Sequence, residues 1–282
     1  MTINNRIGVV VLNYVKFEET IRCVESLLKQ VDVDLNVVIV DNGSGNDSVD
    51  KIRQKFSDIS FIKIVELPKN FGYAQGNNFG ISSLLAMGIT DVFISNSDLY
   101  FQSPLTLSQL LKAKESKVGI ICPIIKNLDG SIEQRVSYKR KLFLIRVIKN
   151  FIFWLLNINL SVENIVGKSD FNFVKQLTGL QNDRYIISGS GFLLTSNFFE
   201  YYSGLYPGTF LYYEEEASMC LLHKSSLLTK VAETDFIIHK GGASTPSEVK
   251  SLSKVRRKIC TQSIFATLRL VFTPSFLAKK WY

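Results

Sequence analysis

Asp91-Val-Phe-Ile-Ser-Asn-Ser-Asp-Leu-Tyr100 is the stretch on which the fold turns. Val92 to Ser95 reads as a short buried strand, apolar and partly β-branched, with polar residues at both ends. Asn96, Ser97 and Asp98 follow directly, three small polar side chains at the place where an open α/β sheet receives its ligand. A carboxylate there can hold a divalent cation, which in turn can hold a diphosphate. The same residues are also common turn formers, and by themselves they imply no more than a turn.

Upstream, Ile7-Gly-Val-Val-Val-Leu12 reads as a buried parallel-type strand ending at Asn13-Tyr14. The spacing of Ile21, Val24, Leu27 and Leu28 predicts a helix over Phe17 to Gln30. Leu35 to Val40 is a second strand, closed by Asp41-Asn-Gly-Ser44. A helix around Asp47 to Phe56 leads to a third strand at Phe61 to Leu67. Asn70-Phe-Gly-Tyr-Ala-Gln-Gly-Asn-Asn78 then opens a helix toward Met87. Strand and helix alternate four times, which packs as a parallel sheet with right-handed crossovers. Asp41 is suited to accept from a base N–H or a ribose hydroxyl. Asn70, Gly72 and Gly76 permit close backbone approach beside a helix start whose N–H groups suit a phosphate. Polar strand ends in register outline a nucleotide cleft. Dinucleotide binders and methyltransferases fit poorly, because Asn13-Tyr-Val-Lys16 stands where a glycine-rich first loop belongs, and no Gly-Lys-Ser/Thr phosphate loop occurs.

The 282 residues suffice for one large α/β domain or a domain with a smaller appendage, and 46% hydrophobic residues exclude disorder. The net charge of +8 points to an anionic partner. It resides in clusters at Lys139-Arg-Lys141, Arg256-Arg-Lys258 and Lys279-Lys280, while the first hundred residues are close to balanced. Cys23, Cys122, Cys220 and Cys260 lie far apart without metal-ligand spacing, as expected of reduced thiols in a cytosolic protein. Met1 to Arg6 is polar, so no signal peptide is expected.

Downstream, a helix is expected over Leu105 to Lys114, a strand at Val118 to Cys122 and a hairpin turn at Asp129-Gly130. Leu142 to Leu160 is the most apolar region, yet Arg146 and Lys149 interrupt it, which argues against a membrane span. It suits either a basic amphipathic helix lying on an anionic membrane surface or a core or dimer helix. Ser188-Gly-Ser-Gly191 is a close-approach loop between two short strands. Gly208 to Cys220 contains Glu214-Glu-Glu216, where mutual repulsion can raise a carboxylate into the range of a general base; the first turn of a solvated helix is the plainer reading. Phe236-Ile-Ile-His239 is a strand ending in a histidine before Gly241-Gly242, and Val249 to Phe272 reads as a helix with a basic face.

In this order the segments resemble family 2 glycosyltransferases, the inverting, nucleotide-sugar-dependent class with a GT-A fold. The matching stretches are Val9-Val-Val-Leu-Asn-Tyr14, Val38-Ile-Val-Asp-Asn-Gly-Ser44, Asn70 to Gly80, Asn96-Ser-Asp98, Ser188-Gly-Ser-Gly191, Phe210-Leu-Tyr-Tyr-Glu-Glu215 and His239-Lys-Gly-Gly-Ala-Ser244. Within the class the chain is most similar to the rhamnosyltransferase-like enzymes of bacterial surface polysaccharide assembly. The resemblance implies an α/β GT-A domain over residues 1–245, with a nucleotide-binding half to about 104 and an acceptor half from about 105. A basic helical extension follows over 246–282. It implies nucleotide contacts from Asn13, Asp41, Asn70, Gly72, Gly76 and Asn96, with Asp41 on the base. Asp98 would reach the diphosphate through Mg²⁺ or Mn²⁺, with His239 beside the diphosphate or in the metal shell. Glu215 would deprotonate the acceptor hydroxyl, with Glu214 as the alternative base. The implied reaction moves a sugar from dTDP-rhamnose or a UDP-sugar to a lipid-linked surface glycan, at the inner face of the plasma membrane and without nucleic acid. The alternative is a non-catalytic nucleotide-sugar-binding or scaffold subunit. Two departures stand out: Asn96 replaces the first acid of the Asp-x-Asp pattern, and Glu215-Glu216 stands where Asp and an apolar residue are usual.

Overall fold

Alternation along β1 (Arg6–Asn13) divides the molecule, because successive side chains of a strand point to opposite faces. Ile7, Val9 and Val11 enter one apolar core and Val10 the other. A strand buried on both faces needs helices on both, and that is the architecture of the computed structural model, which describes residues 5–133, 137–155, 184–241 and 253–278. β1 pairs in parallel with β2 (Asp34–Asp41) and β4 (Val92–Asn96), and β2 pairs in parallel with β3 (Ile62–Glu66). β10 (Gly191–Leu194) runs antiparallel between β4 and β6 (Val118–Cys122), and β11 (Leu228–Val231) closes that edge parallel to β6. The seven-stranded order is β11-β6-β10-β4-β1-β2-β3. This is the expected mixed α/β fold with a central, mostly parallel sheet.

α1 (Phe17–Leu27), α2 (Ser48–Phe56) and α4 (Thr106–Lys112) bury Cys23, Val24, Leu27, Ile52, Phe56 and Leu110 on one face of the sheet. α3 (Tyr73–Ala86), α5 (Phe143–Leu155), the single turn α6 (Ser196–Phe199), α7 (Glu214–Ser225), α8 (Ser253–Phe272) and α9 (Ser275–Ala278) contribute to the other. α1 stops at Leu27, short of the expected Gln30.

A small sheet carries part of the site. β12 (Ile237–His239) lies antiparallel to β5 (Leu99–Phe101) and parallel to β7 (Ile125–Asn127). The expected turn at Asp129-Gly130 closes a hairpin after β7, with Asn127 N donating to Ser131 O and Glu133 N to Ile125 O. β8 (Ser137–Lys139) and β9 (Arg184–Ile186) form a separate antiparallel pair.

α5 packs into the core along one face, as the core-helix alternative expects. Phe143 and Val147 are buried in the core, while Ile145 and Leu155 on the other side are 64% and 60% exposed. The part of that stretch beyond Leu155 lies outside the described residues, as do 249–252 of the C-terminal segment. The inner face of α8 is buried at Ser263, Ile264, Thr267 and Leu270, and its Phe265 meets Phe151 of α5 edge-on at 5.2 Å. Among the described residues no helix is long and apolar enough to cross a membrane.

Candidate active site

Strand order reverses at β1: the chain moves outward through β2 and β3, then returns to the other side of β1 with β4. Loops leaving β1 and β4 therefore diverge and open a crevice at the carboxyl ends of the strands. Register places Asn13 beside Asp41 and Leu12 beside Asn96 at its floor.

Asp41 is 2% exposed, and its oxygens are already engaged. Oδ1 accepts from Ser44 N at 2.9 Å, and Oδ2 from Asn13 Nδ2 at 2.6 Å and from Ser44 Oγ. Asn13 in turn accepts from Thr20 Oγ1 at 2.6 Å. This network holds the turn after β2 from below. The residue of that turn that reaches the cavity is Asn42, which donates to Asn70 Oδ1 and Gly72 O, both at 3.1 Å, and accepts from Phe71 N. Asn42, Asn70, Gly72 and Asn96 line a cavity of about 150 Å³, and Phe210, Leu211 and Ile259 of α8 complete it. Gly72 has φ +84, and a Cβ there would lie 2.5 Å from Phe210 O. That carbonyl accepts from Tyr73 N, so the first N–H of α3, expected to face a phosphate, is taken by the protein. Gly76 serves packing, since a Cβ would lie 2.8 Å from Leu12 Cδ1. A larger depression of about 340 Å³ lies against β7 and β12 at Lys126 and Phe236, and Asp41, Asn42 and Asn70 do not line it.

The small sheet brings His239 opposite Leu99, so its Nε2 stands 3.2 Å from Asp98 Oδ1. Its Nδ1 stands 3.0 Å from Glu133 Oε2, which also accepts from Ser190 Oγ at 2.8 Å. Burial disfavours charge on His239, but the hydrogen bonds and negative charges of Asp98 and Glu133 outweigh it and raise its pKa to about 10. Asp98 itself is 4% exposed.

The Ser188–Gly191 loop joins this cluster to the acidic run. Ser190 O accepts from Asn96 N at 2.9 Å, Tyr73 Oη donates to Gly189 O at 2.6 Å, and Gly189 N donates to Glu215 Oε1 at 2.8 Å. Tyr213, in the left-handed region at φ +67, starts α7 so that adjacent glutamates take different surroundings. Glu214 is buried and accepts from Thr209 Oγ1 and Ser218 Oγ. Burial is the main reason its pKa rises to about 8. Glu215 is raised to about 7, first by burial and then by the charge of Glu216, against the pull of the Gly189 N–H.

Among the described residues no three His, Cys, Asp or Glu side chains are arranged to hold a metal by themselves. Asp98 and His239 nevertheless suit two neighbouring positions on one ion. They bring an oxygen and a nitrogen donor to one spot, which would suit Mg²⁺ or Mn²⁺ once the ion displaced the proton between them. No role could be read from the sequence for Glu133 or Thr20, and none individually for Asn42 or Tyr73, which lie within the matching stretches. The only hint of Glu133 was its place on the return arm of the Asp129-Gly130 hairpin.

The model of the family described as Glycosyl transferase family 2 matches residues 8–174, more than half of the chain. The chain belongs to glycosyl transferase family 2. Among solved structures, S. aureus TarS residues 1–349 aligns with 98% of this chain and 72% of its own, at a TM-score of 0.52 and 14% identity. The mannosyltransferase PcManGT from Pyrobaculum calidifontis, in complex with GDP-Man and Mn²⁺, aligns with 97% of this chain and 73% of its own, at a TM-score of 0.54 and 12% identity. TarS in complex with UDP aligns with 94% of this chain and 69% of its own, at a TM-score of 0.53 and 12% identity. At these identities the likeness establishes the GT-A fold alone. No curated relative matches the sequence.

Proposed function

We propose that this family 2 chain is an inverting glycosyltransferase that uses a nucleotide diphosphate sugar. The observation that carries the reading is the Ser188–Gly191 loop, which touches Glu215 on one side and, through Ser190 and Glu133, the Asp98–His239 pair on the other. Glu215 is the general base, its raised pKa near the working range of such a group. It takes the proton of an acceptor hydroxyl as that oxygen attacks the anomeric carbon, and the nucleoside diphosphate departs from the opposite face. The product therefore has inverted configuration. Glu214, locked to Thr209 and Ser218, supports the start of α7. Asp98 and His239 would hold Mg²⁺ or Mn²⁺, whose charge would offset that of the diphosphate. Asn42, Asn70 and Asn96 line the donor pocket, and Asp41 secures it from beneath through Asn13 and Ser44.

The GDP-Man and UDP complexes of the similar structures support nucleotide-sugar use, and a hexosyl donor such as dTDP-rhamnose or a UDP-sugar follows from the rhamnosyltransferase-like motifs. The exposed apolar residues of α5, α8 and α9 support a lipid-linked glycan acceptor at the inner face of the plasma membrane. A panel of dTDP-rhamnose, UDP-sugars and GDP-mannose with Mn²⁺ and lipid-linked acceptors tests the reading by nucleoside diphosphate release. Release with one donor is expected. Donor binding without turnover across the panel would favour the non-catalytic subunit, the reading that Asn96 in place of an acid also suits.

A further inference from the structure

We propose that Glu133 is the positioning carboxylate of His239: it fixes the imidazole through Nδ1, so that Nε2 is presented to Asp98 and to any ion shared with it. His239 Nδ1 lies 3.0 Å from Glu133 Oε2 and Nε2 lies 3.2 Å from Asp98 Oδ1, so the ring is held at both ends. A ligating histidine characteristically donates its other ring N–H to a carboxylate, which sets tautomer and orientation and strengthens the ligand. The geometry of Glu133 meets that requirement from a different element than either ligand.

The hold is built into the fold and is not a loose surface pairing. Glu133 N donates to Ile125 O at 2.9 Å, which ties the return arm of the hairpin to β7. β7 is the direct parallel neighbour of β12, with Asn127 opposite His239. The imidazole thus rides on β12 and the carboxylate on the return arm bonded to β7, the strand beside β12. The side chain of Glu133 is 22% exposed, so its bond competes with little water. The same Oε2 accepts from Ser190 Oγ at 2.8 Å, and Ser190 Oγ lies 2.9 Å from Ser188 Oγ. Those serines flank Gly189, whose N–H orients Glu215. Glu133 therefore joins the His239 pair to the loop bearing on the acidic run.

The metal half of this inference rests on the metal–diphosphate reading above, whereas the imidazole half does not, and two readouts separate them. The chain has only two histidines, so ring ¹⁵N–¹H spectra are assignable with His239→Ala. The Nδ1–H signal of His239 should be protected in the wild type, lost in Glu133→Ala and partly restored in Glu133→Gln. Mn²⁺ uptake, read by the electron paramagnetic resonance of free Mn²⁺ with UDP, GDP or dTDP present, should weaken about 10- to 100-fold in Glu133→Ala. It should weaken no further in Glu133→Ala/His239→Ala than in His239→Ala alone, because both changes remove one coupled unit. An unchanged ring signal in a folded Glu133→Ala would overturn the proposal, as would additive losses of Mn²⁺ affinity. A wild type that takes up no Mn²⁺ with any of the three nucleotides would overturn the metal site, while the ring signal still decides whether Glu133 holds His239.

Discussion

Glu214 and Glu215 are neighbours in sequence and opposites in environment. Glu215 is half-buried and accepts from the Gly189 N–H, whereas Glu214 is enclosed with two hydroxyl donors. Both carboxyls are raised, and the consequences differ. With Glu215 as base, transfer activity should climb with pH through about 7 as its proton is lost. Glu215→Gln should reduce turnover by about two orders of magnitude or more while leaving donor affinity nearly intact, as steady-state rates beside calorimetry will show. For Glu214 the effect falls on stability. A carboxyl whose folded-state pKa is raised binds its proton more tightly folded than unfolded, so its contribution is complete below about 4.5 and is lost as pH rises through about 8. Urea unfolding at several pH values should therefore show Glu214→Gln gaining on the wild type from about 4.5 upward and levelling off above about 8, by a few kcal/mol. A pH-independent difference would mean that Glu214 is not protonated in the fold. The acidic run was legible in the sequence, but the division of labour was not. It depends on Thr209, on the left-handed Tyr213 and on a loop more than twenty residues upstream, and no local pattern encodes those contacts.

Helix α3 shows how much of an element its sequence discloses. Gly76 and Gly80, four apart, lie on one helix face and let α3 settle onto the sheet. A Cβ on Gly80 would lie 2.5 Å from Val10 Cγ1 and 3.1 Å from Val40 Cγ2. Alanine is the better helix former by ~1 kcal/mol, but overpacking costs ~1–3 kcal/mol, so packing decides the sign. Gly80→Ala should lower stability by roughly 1–2 kcal/mol in urea unfolding, and a stabilised variant would show that α3 can lift off the sheet cheaply. The alternation of strand and helix over residues 6–96 was readable because β1, β2 and β4 are largely apolar runs bounded by turn chemistry. The small sheet was not: β5, β7 and β12 are three residues each and come from distant parts of the chain. His239 beside Asp98 was thus available only through resemblance, and Glu133 beside His239 only through the hairpin's fold. The same limit applied to α5, since periodicity shows that a helix has an apolar face but not that its other face is apolar and exposed.

At the scale of the whole molecule, exposed apolar side chains gather on α5, α8 and α9. Ile145, Ile152 and Leu155 form a stripe on α5; Phe265 and Phe272 form one on α8, followed by Phe276 and Leu277 on α9. Contact between Phe151 and Phe265 joins the first two helices. Basic residues interleave: Lys149 on the α5 stripe and Lys258 and Arg269 on that of α8 are exposed, and Lys139 and Lys141 precede α5. Large apolar side chains spaced among cations suit an anionic bilayer surface, where the rings enter the headgroup boundary and the cations meet phosphates. Sedimentation with vesicles should therefore give binding to mixtures containing phosphatidylglycerol, weak binding to pure phosphatidylcholine, and a marked loss in 0.5 M salt, an arbitrary high-salt condition at which screening is on the order of a few Å. Phe272 and Phe276 are 70% and 65% exposed, so Phe272→Ser/Phe276→Ser should spare folding. Removing two inserted rings, each able to contribute ~1.5–3 kcal/mol when fully buried, should cut vesicle affinity by at least about tenfold. Activity on a soluble acceptor should be untouched, and activity on a lipid-linked acceptor should fall with the affinity. Equal binding to neutral and anionic vesicles, or a double variant that binds like the wild type, would remove this face from the membrane and leave it to cover by another protein surface.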